Sequence, residues 1–269
     1  MKHILKLLAL TFVTLLVIGF SLADNSSADG NLEEKKDIHY KMLNTVDYFE
    51  SVKGNFDYKN SILDVDVNID YKVKTGNSNS KPSSKVVIQN KEISTEHIYD
   101  GEDIIEKNLK KETYKKADMA KRKVKIKDKN KVIEARYQRK DNGEKVYIYR
   151  PDTIMAGMAS MSIFPQEIAL GFLEDYDNWS IASETQMNGH NAVVIEGSFN
   201  DYYQQKHRAI TFELFVDKDT GVILQLNEYD KQGKVVTSLE TKSIKFNTEI
   251  KGSNFSTKVP KGFEKVKSK

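Results

Sequence analysis

The 269-residue chain contains no cysteine. Disulfides, thiol nucleophiles, thiolate metal sites and an acylated cysteine anchor are therefore all excluded. Proline (4), histidine (5) and tryptophan (1) are also sparse. The histidines beyond the first residues, His39, His97, His190 and His207, lie far apart with no metal-ligand spacing. No GxSxG, HExxH, phosphate-binding glycine loop or dinucleotide fingerprint is present. An enzyme, most simply a hydrolase, has no motif to stand on, and no cofactor is expected.

A long apolar run is missing as well, with one short exception. Lys2, His3 and Lys6 precede an apolar stretch from Leu7 to Phe20, followed by Ser21-Leu22-Ala23. A basic start, a short apolar core and a small-x-small end define a secretory signal over 1–23. The run is short of the roughly 20 residues that span a bilayer. The chain is thus expected in the periplasm or cell envelope, with an uncleaved N-terminal anchor as the alternative. Excess charge of one sign is absent too. Beyond residue 23 there are 40 Lys and Arg against 39 Asp and Glu, which argues against a nucleic-acid partner. About 245 residues without disulfides are enough to hold themselves by burial.

What is present is patterned. Residues 24–36 are polar and read as a flexible leader. From Asp37, a capping residue, Ile38, Met42, Val46, Phe49 and Val52 recur at spacings of three and four, with Gly54 just beyond. That predicts an amphipathic helix over 37–53. The period then switches to two. Leu63, Val65, Val67, Ile69, Tyr71 and Val73 alternate with Asp64, Asp66, Asn68, Asp70 and Lys72, the mark of a strand with one wet face. Residues 75–85 read as a low-complexity connector. Asp100-Gly101, Asn142-Gly143, Asn188-Gly189 and Gln232-Gly233 then punctuate short strand-like runs. Such pairs supply the positive φ of hairpin turns and predict an antiparallel meander. A parallel α/β sheet would need a helix between every pair of strands.

The exception is 152–177. Asp152 can cap a segment through Met155, Met158 and Met161, and Pro165 can start a second helix with Ile168, Ala169, Phe172, Leu173 and Tyr176 on one face. A methionine stripe is either ordinary core or an adaptable apolar surface. Acidic pairs read as structural: Asp217 and Asp219 lack the further ligands of a calcium loop and fit a capped turn. Glu174, Asp175 and Asp177 fit a solvated helix end. Between Lys107 and Lys131 lie twelve Lys or Arg and three acids. Lys121, Arg122, Lys123, Lys125 and Lys127 are candidates for contact with an anionic surface, although alternation with Val124 and Ile126 better fits a lysine-protected edge strand.

The run "ITFELFVDKDTGVILQLNEYDKQGKVVTSLETKSIKFN", Ile210 to Asn247, resembles the late strands of the LolA-like superfamily. "EHIYDGEDIIEKN" is similar to that family's hairpin, and the early amphipathic helix fits its layout. The resemblance implies an α+β fold: an unclosed antiparallel β-barrel of about ten strands with a few helices over its open face, formed by one domain over 37–269. It implies a carrier of a lipid or lipoprotein acyl chain. The alternative is an RseB-like regulator that binds an extracytoplasmic segment of a membrane protein such as an anti-sigma factor. Peripheral membrane contact fits either. In the carrier a strand arginine latches the lid, but Leu63–Val73 has no arginine. The apolar cavity and lid expected from the resemblance comprise Val65, Val67, Ile69 and Tyr71 from the sheet, with Met155, Met158, Met161, Phe164, Ile168, Phe172 and Leu173 from the cover.

Overall fold

A computed structural model describes residues 25–77, 80–118 and 132–266. The expected signal, 1–23, and the basic residues Lys121, Arg122, Lys123, Lys125 and Lys127 lie outside the described residues. Helix α1 (Asn25–Leu43) leads into strands β1 (Ser51–Asn60), β2 (Val65–Lys74), β3 (Ser83–Gln89), β4 (Ser94–Tyr99), β5 (Asp103–Asn108) and β6 (Thr113–Asp118). A small hairpin, β7 (Tyr137–Arg139) and β8 (Lys145–Tyr147), precedes α2 (Ser160–Ile163) and α3 (Gln166–Phe172). Then follow β9 (Trp179–Met187), β10 (His190–Ser198), α4 (Asp201–His207), β11 (Thr211–Asp217), β12 (Ile223–Tyr229), β13 (Val235–Phe246) and the two-residue β14 (Glu264–Lys265).

Twelve of these strands form one open sheet, in the order β14-β6-β5-β4-β3-β2-β1-β13-β12-β11-β10-β9. Every pairing in it is antiparallel except β14 on β6. The expected α+β half-barrel is therefore present, with more strands than the ten expected. The Asn188-Gly189 turn shows why such pairs close hairpins. Both residues take positive φ (54° and 82°) between β9 and β10, a geometry that matches the twist of the flanking strands.

Period-two patterning places Val67, Ile69, Tyr71 and Val73 of β2 on the buried inner face. There they join Phe56, Ile195, Leu214, Leu226 and Leu239 from neighbouring strands and Met42, Leu43, Ile163 and Leu170 from the helices in one core. A separate small cluster, Ile98, Ile105, Ile250 and Phe255, lies on the outer face. The register decides the side: Tyr71 faces Val86, which faces His97, so Ile98 points the opposite way.

Three expectations change. Helix α1 begins at Asn25 and ends at Leu43, so it includes residues expected as a flexible leader and stops short of residue 53. Asp37 is not its cap but an exposed side chain paired with Lys41 at 2.7 Å. Val52 and Gly54 belong to β1 instead. Val46, Phe49 and Val52 fit a helical period, yet Val52 and Phe56 alternate inward as strand residues, with the Tyr71 ring over Gly54. The connector is also shorter, because Ser83, Ser84 and Lys85 already pair in β3.

Candidate binding cavity

Helices α2, α3 and α4 lie against the concave side of the sheet and leave a cavity of about 460 Å³ beside them. One wall is apolar: Ile62, Leu63, Met161, Phe164, Ile168, Phe172 and Leu226. Polar groups gather at Tyr58, Asn60, Ser160, Thr237, His207 and Glu228. The Phe172 ring organises one end, with centroids 4.6 Å from Phe199, 5.1 Å from Phe212 and 5.4 Å from His207. His207 Nδ1 lies 3.0 Å from both carboxylate oxygens of the buried Glu228. The imidazole thereby covers a carboxylate that would otherwise be isolated in an apolar wall.

Buried hydrogen bonds fix the cover at α2 and α3. Thr45 Oγ1 donates to Ile163 O at 2.6 Å, and Ser162 Oγ donates to Ile223 O at 2.8 Å. Gln166, at the start of α3, is a buried hub. Its Oε1 accepts from Arg150 N at 2.7 Å and from Arg136 Nη2, and its Nε2 donates to Arg150 O at 3.0 Å. Arg150 in turn grips Asp47 with both Nη atoms (2.8 and 2.6 Å), so the segment after β8 is bound to the turn after α1. Helix α4 is held to β12 by the His207–Glu228 contact and to α3 by an exposed pair, Lys206 Nζ to Glu167 Oε1 at 2.9 Å. That hydrogen bond also raises the Lys206 ammonium above its ordinary range. Screened surface pairs of this kind contribute about 1 kcal/mol or less.

Helix α4 rests on α3 through Gly171, whose missing Cβ leaves room for the Tyr203 hydroxyl. Gly171→Ala would drive a methyl group into that oxygen. The expected result is a loss of about 1–3 kcal/mol, the usual range for overpacking, read as a lower urea midpoint. An unchanged midpoint would show that α4 is free to shift.

Of the expected cavity residues, Met161, Phe164, Ile168 and Phe172 line this space. The others do not. Met155 is half-buried with φ 49° and its carbonyl accepts from Ser84 Oγ. Met158 is half-buried against the core, and Leu173 is wholly buried. Val67, Ile69 and Tyr71 are buried in the inner face, with Val65 half-buried beside them. Burial pushes the Tyr71 hydroxyl well above its ordinary range. The missed residues come from β1 and the turn after it (Tyr58, Asn60, Ile62 and Leu63), from the cover (Gly157, Ser160, Pro165 and Glu167), and from α4 and the late strands (Tyr203, Lys206, His207, Leu226, Glu228 and Thr237). The lone sequence cue is Glu228, a carboxylate at a core-facing position of a period-two strand. No group of three or more His, Asp or Glu suited to a metal ion occurs among the described residues. Nor is any described helix long and apolar enough to cross a membrane.

The class this geometry defines is an open antiparallel half-barrel with helices in its concavity, the fold the LolA-like resemblance implied. No family model and no curated protein matches the chain. Solved structures with a similar fold include MucB, at 12% identity and a TM-score of 0.45, over 87% of this chain and 64% of that one. The lipoprotein LppX of Mycobacterium tuberculosis is similar at 11% identity and a TM-score of 0.41, over 82% of this chain and 98% of LppX. LprF of Mycobacterium bovis is similar at 9% identity and a TM-score of 0.42, over 82% of this chain and 95% of LprF. This chain thus spans less than two thirds of MucB's length. These likenesses concern fold, and function rests on the cavity itself.

Proposed function

We propose that this protein is a non-enzymatic binding protein of the cell envelope that holds an acyl chain of a lipid or lipoprotein between α3, α4 and the sheet. The observation that carries the reading is the cavity wall from Ile62 to Leu226, apolar along one side and polar at Tyr58, Asn60 and Thr237. Its volume of about 460 Å³ falls within the ~300–1,000 Å³ of small-molecule sites. A buried chain would gain about 0.8 kcal/mol per methylene. Met161 suits chains of differing length and kink, being unbranched and polarizable.

The test is titration of the delipidated full chain with a fluorescent fatty acid. Saturable binding is expected, weakened about tenfold or more by Met161→Asp, which places a charge against the chain. Met158→Asp, off the cavity wall, should weaken it less. No saturable binding by folded protein would overturn the reading. Specific capture of one membrane-protein segment in its place would support the regulatory alternative.

A further inference from the structure

At several places on the sheet's outer face, opposite charges pair. Lys59 pairs with Asp66 at 3.3 Å, Lys116 with Asp103 at 2.7 Å, and Lys242 with both Glu240 (2.7 Å) and Asp57 (3.5 Å). Like charges also meet there, as at Glu196 opposite Glu213, but one row of a single sign runs across more strands. Lys245 of β13 stands directly opposite Lys53 of β1, Lys53 opposite Lys72 of β2, and Lys72 opposite Lys85 of β3. Four lysines thus stand in register across four adjacent strands, over roughly 15 Å at the usual strand spacing.

Like charges directly opposite one another destabilise a sheet, and little here relieves them. Lys85 pairs with Glu96, a carboxylate already shared with Lys107. Lys72 Nζ donates to the neutral Asn254 Oδ1 at 2.9 Å. Lys53 and Lys245 have no hydrogen-bond or ion-pair partner among the described residues. Asp70, which lines the same groove, is in ion-pair range of none of the four. The lysines line a groove of about 460 Å³ on the outer face with Asn55, Val87 and Ser243. It is separate from the acyl-chain cavity, with which it shares no lining residue.

We propose that this lysine row is a binding site for a linear polyanion bearing phosphate groups. Lysine suits phosphate, which it binds as a point charge, and four ammonium groups in a line match the repeated charges of a phosphate-bearing chain. The shape favours a chain over a flat bilayer. The segment around Asn254 and Phe255 packs on the same face beside Lys72, so a plane cannot reach all four ammonium groups at once. The near balance of total charge beyond residue 23 makes the row a local concentration of positive potential rather than a reflection of overall charge.

The experiment titrates the full-length protein with long-chain inorganic polyphosphate, followed by calorimetry over a range of salt. Lys53→Gln/Lys245→Gln removes the two lysines without partners and leaves Lys72 and Lys85 in place. The expected result is at least a tenfold loss of affinity, with a dependence of log K on log salt shallower by about 1.4, the counterion release of two phosphate contacts. The same variant should unfold at an equal or higher temperature than wild type, since repulsion is relieved. Lys53→Arg/Lys245→Arg, which keeps the charge, should retain binding within about twofold and guards against a loss caused by misfolding. The proposal is overturned if wild type fails to bind polyphosphate at low salt, or if the glutamine variant binds with unchanged affinity and salt slope. It is equally overturned if the row is needed only for anionic phosphatidylglycerol vesicles.

Discussion

Gln166→Leu is expected to lower the stability of the fold by about 3 kcal/mol. Leucine fills nearly the same volume, so the loss comes from hydrogen bonds rather than from a cavity. Gln166 is buried and engages both backbone groups of Arg150 together with Arg136, a side chain with no solvent exposure. Its replacement leaves the Arg150 N–H and C=O without their partner and removes one acceptor from a buried guanidinium. Each buried group left unsatisfied costs about 1–3 kcal/mol. For a chain of this size, about 3 kcal/mol corresponds to a fall of roughly 6–12 °C in Tm. Gln166→Glu keeps an acceptor for Arg136 and loses only the donor to Arg150 O, so its midpoint should lie between the two. A leucine variant as stable as wild type would show that α3 is not anchored at its first residue.

The second large effect is in pH. His39 is buried on α1 between two tyrosines, with Nδ1 2.9 Å from the Tyr176 hydroxyl and Nε2 3.3 Å from that of Tyr137. Burial pushes its pKa down to about 3. A hydrogen bond with the Ala169 backbone works against that shift, and the nearby Arg136 charge adds to it. In the unfolded chain the same imidazole titrates near 6.5. Between those values the unfolded state binds the extra proton, so stability is fully present above about pH 6.5 and falls as pH drops toward 3. The slope contributed approaches about 1.4 kcal/mol per pH unit. His39→Gln should be less stable at pH 7 but should lose less between pH 6 and pH 4. Urea midpoints measured across that range provide the comparison, and the carboxylates contribute equally to both proteins. Parallel curves would sink this account of His39.

Much of the sheet is legible in the sequence because its signals are local. The alternation from Val65 to Val73 and the Gly-containing turns at 101, 143, 189 and 233 each depend on a few adjacent residues. Strand β1 escaped because Val46, Phe49 and Val52 imitate a helical face, and Gly54 imitates a helix end. What distinguishes the two readings is pairing of β1 with β13, a partner almost two hundred residues away. The methionine stripe divides between core and cavity for another local reason. Met155 and Gly157 both take positive φ, 49° and 52°, so the backbone there is not a continuous helix. A spacing of three then no longer puts side chains on one face, and of the three only Met161 reaches the cavity. The half of the cavity formed by α4, β12 and β13 was hidden more deeply. Period-two patterning identifies which residues face inward, but not which part of the inner face the helices leave uncovered.

The place of β1 in the middle of the sheet has a further consequence, for the order of folding. Strands β2 to β6 form one meander of sequence neighbours, and β9 to β13 form another, interrupted only by α4. The two meet only where the first strand docks against the thirteenth, from Val52 on Phe246 to Asn60 on Thr237. Closing a loop of that length carries a large entropic cost before any contact rewards it, which slows folding. During synthesis, β1 presents an unpaired edge until almost the whole chain has emerged, and such an edge invites association with other chains. The centre of the half-barrel is therefore closed by a long-range zipper that joins two hairpin arrays, and only the two-residue β14 adds to the sheet from beyond it.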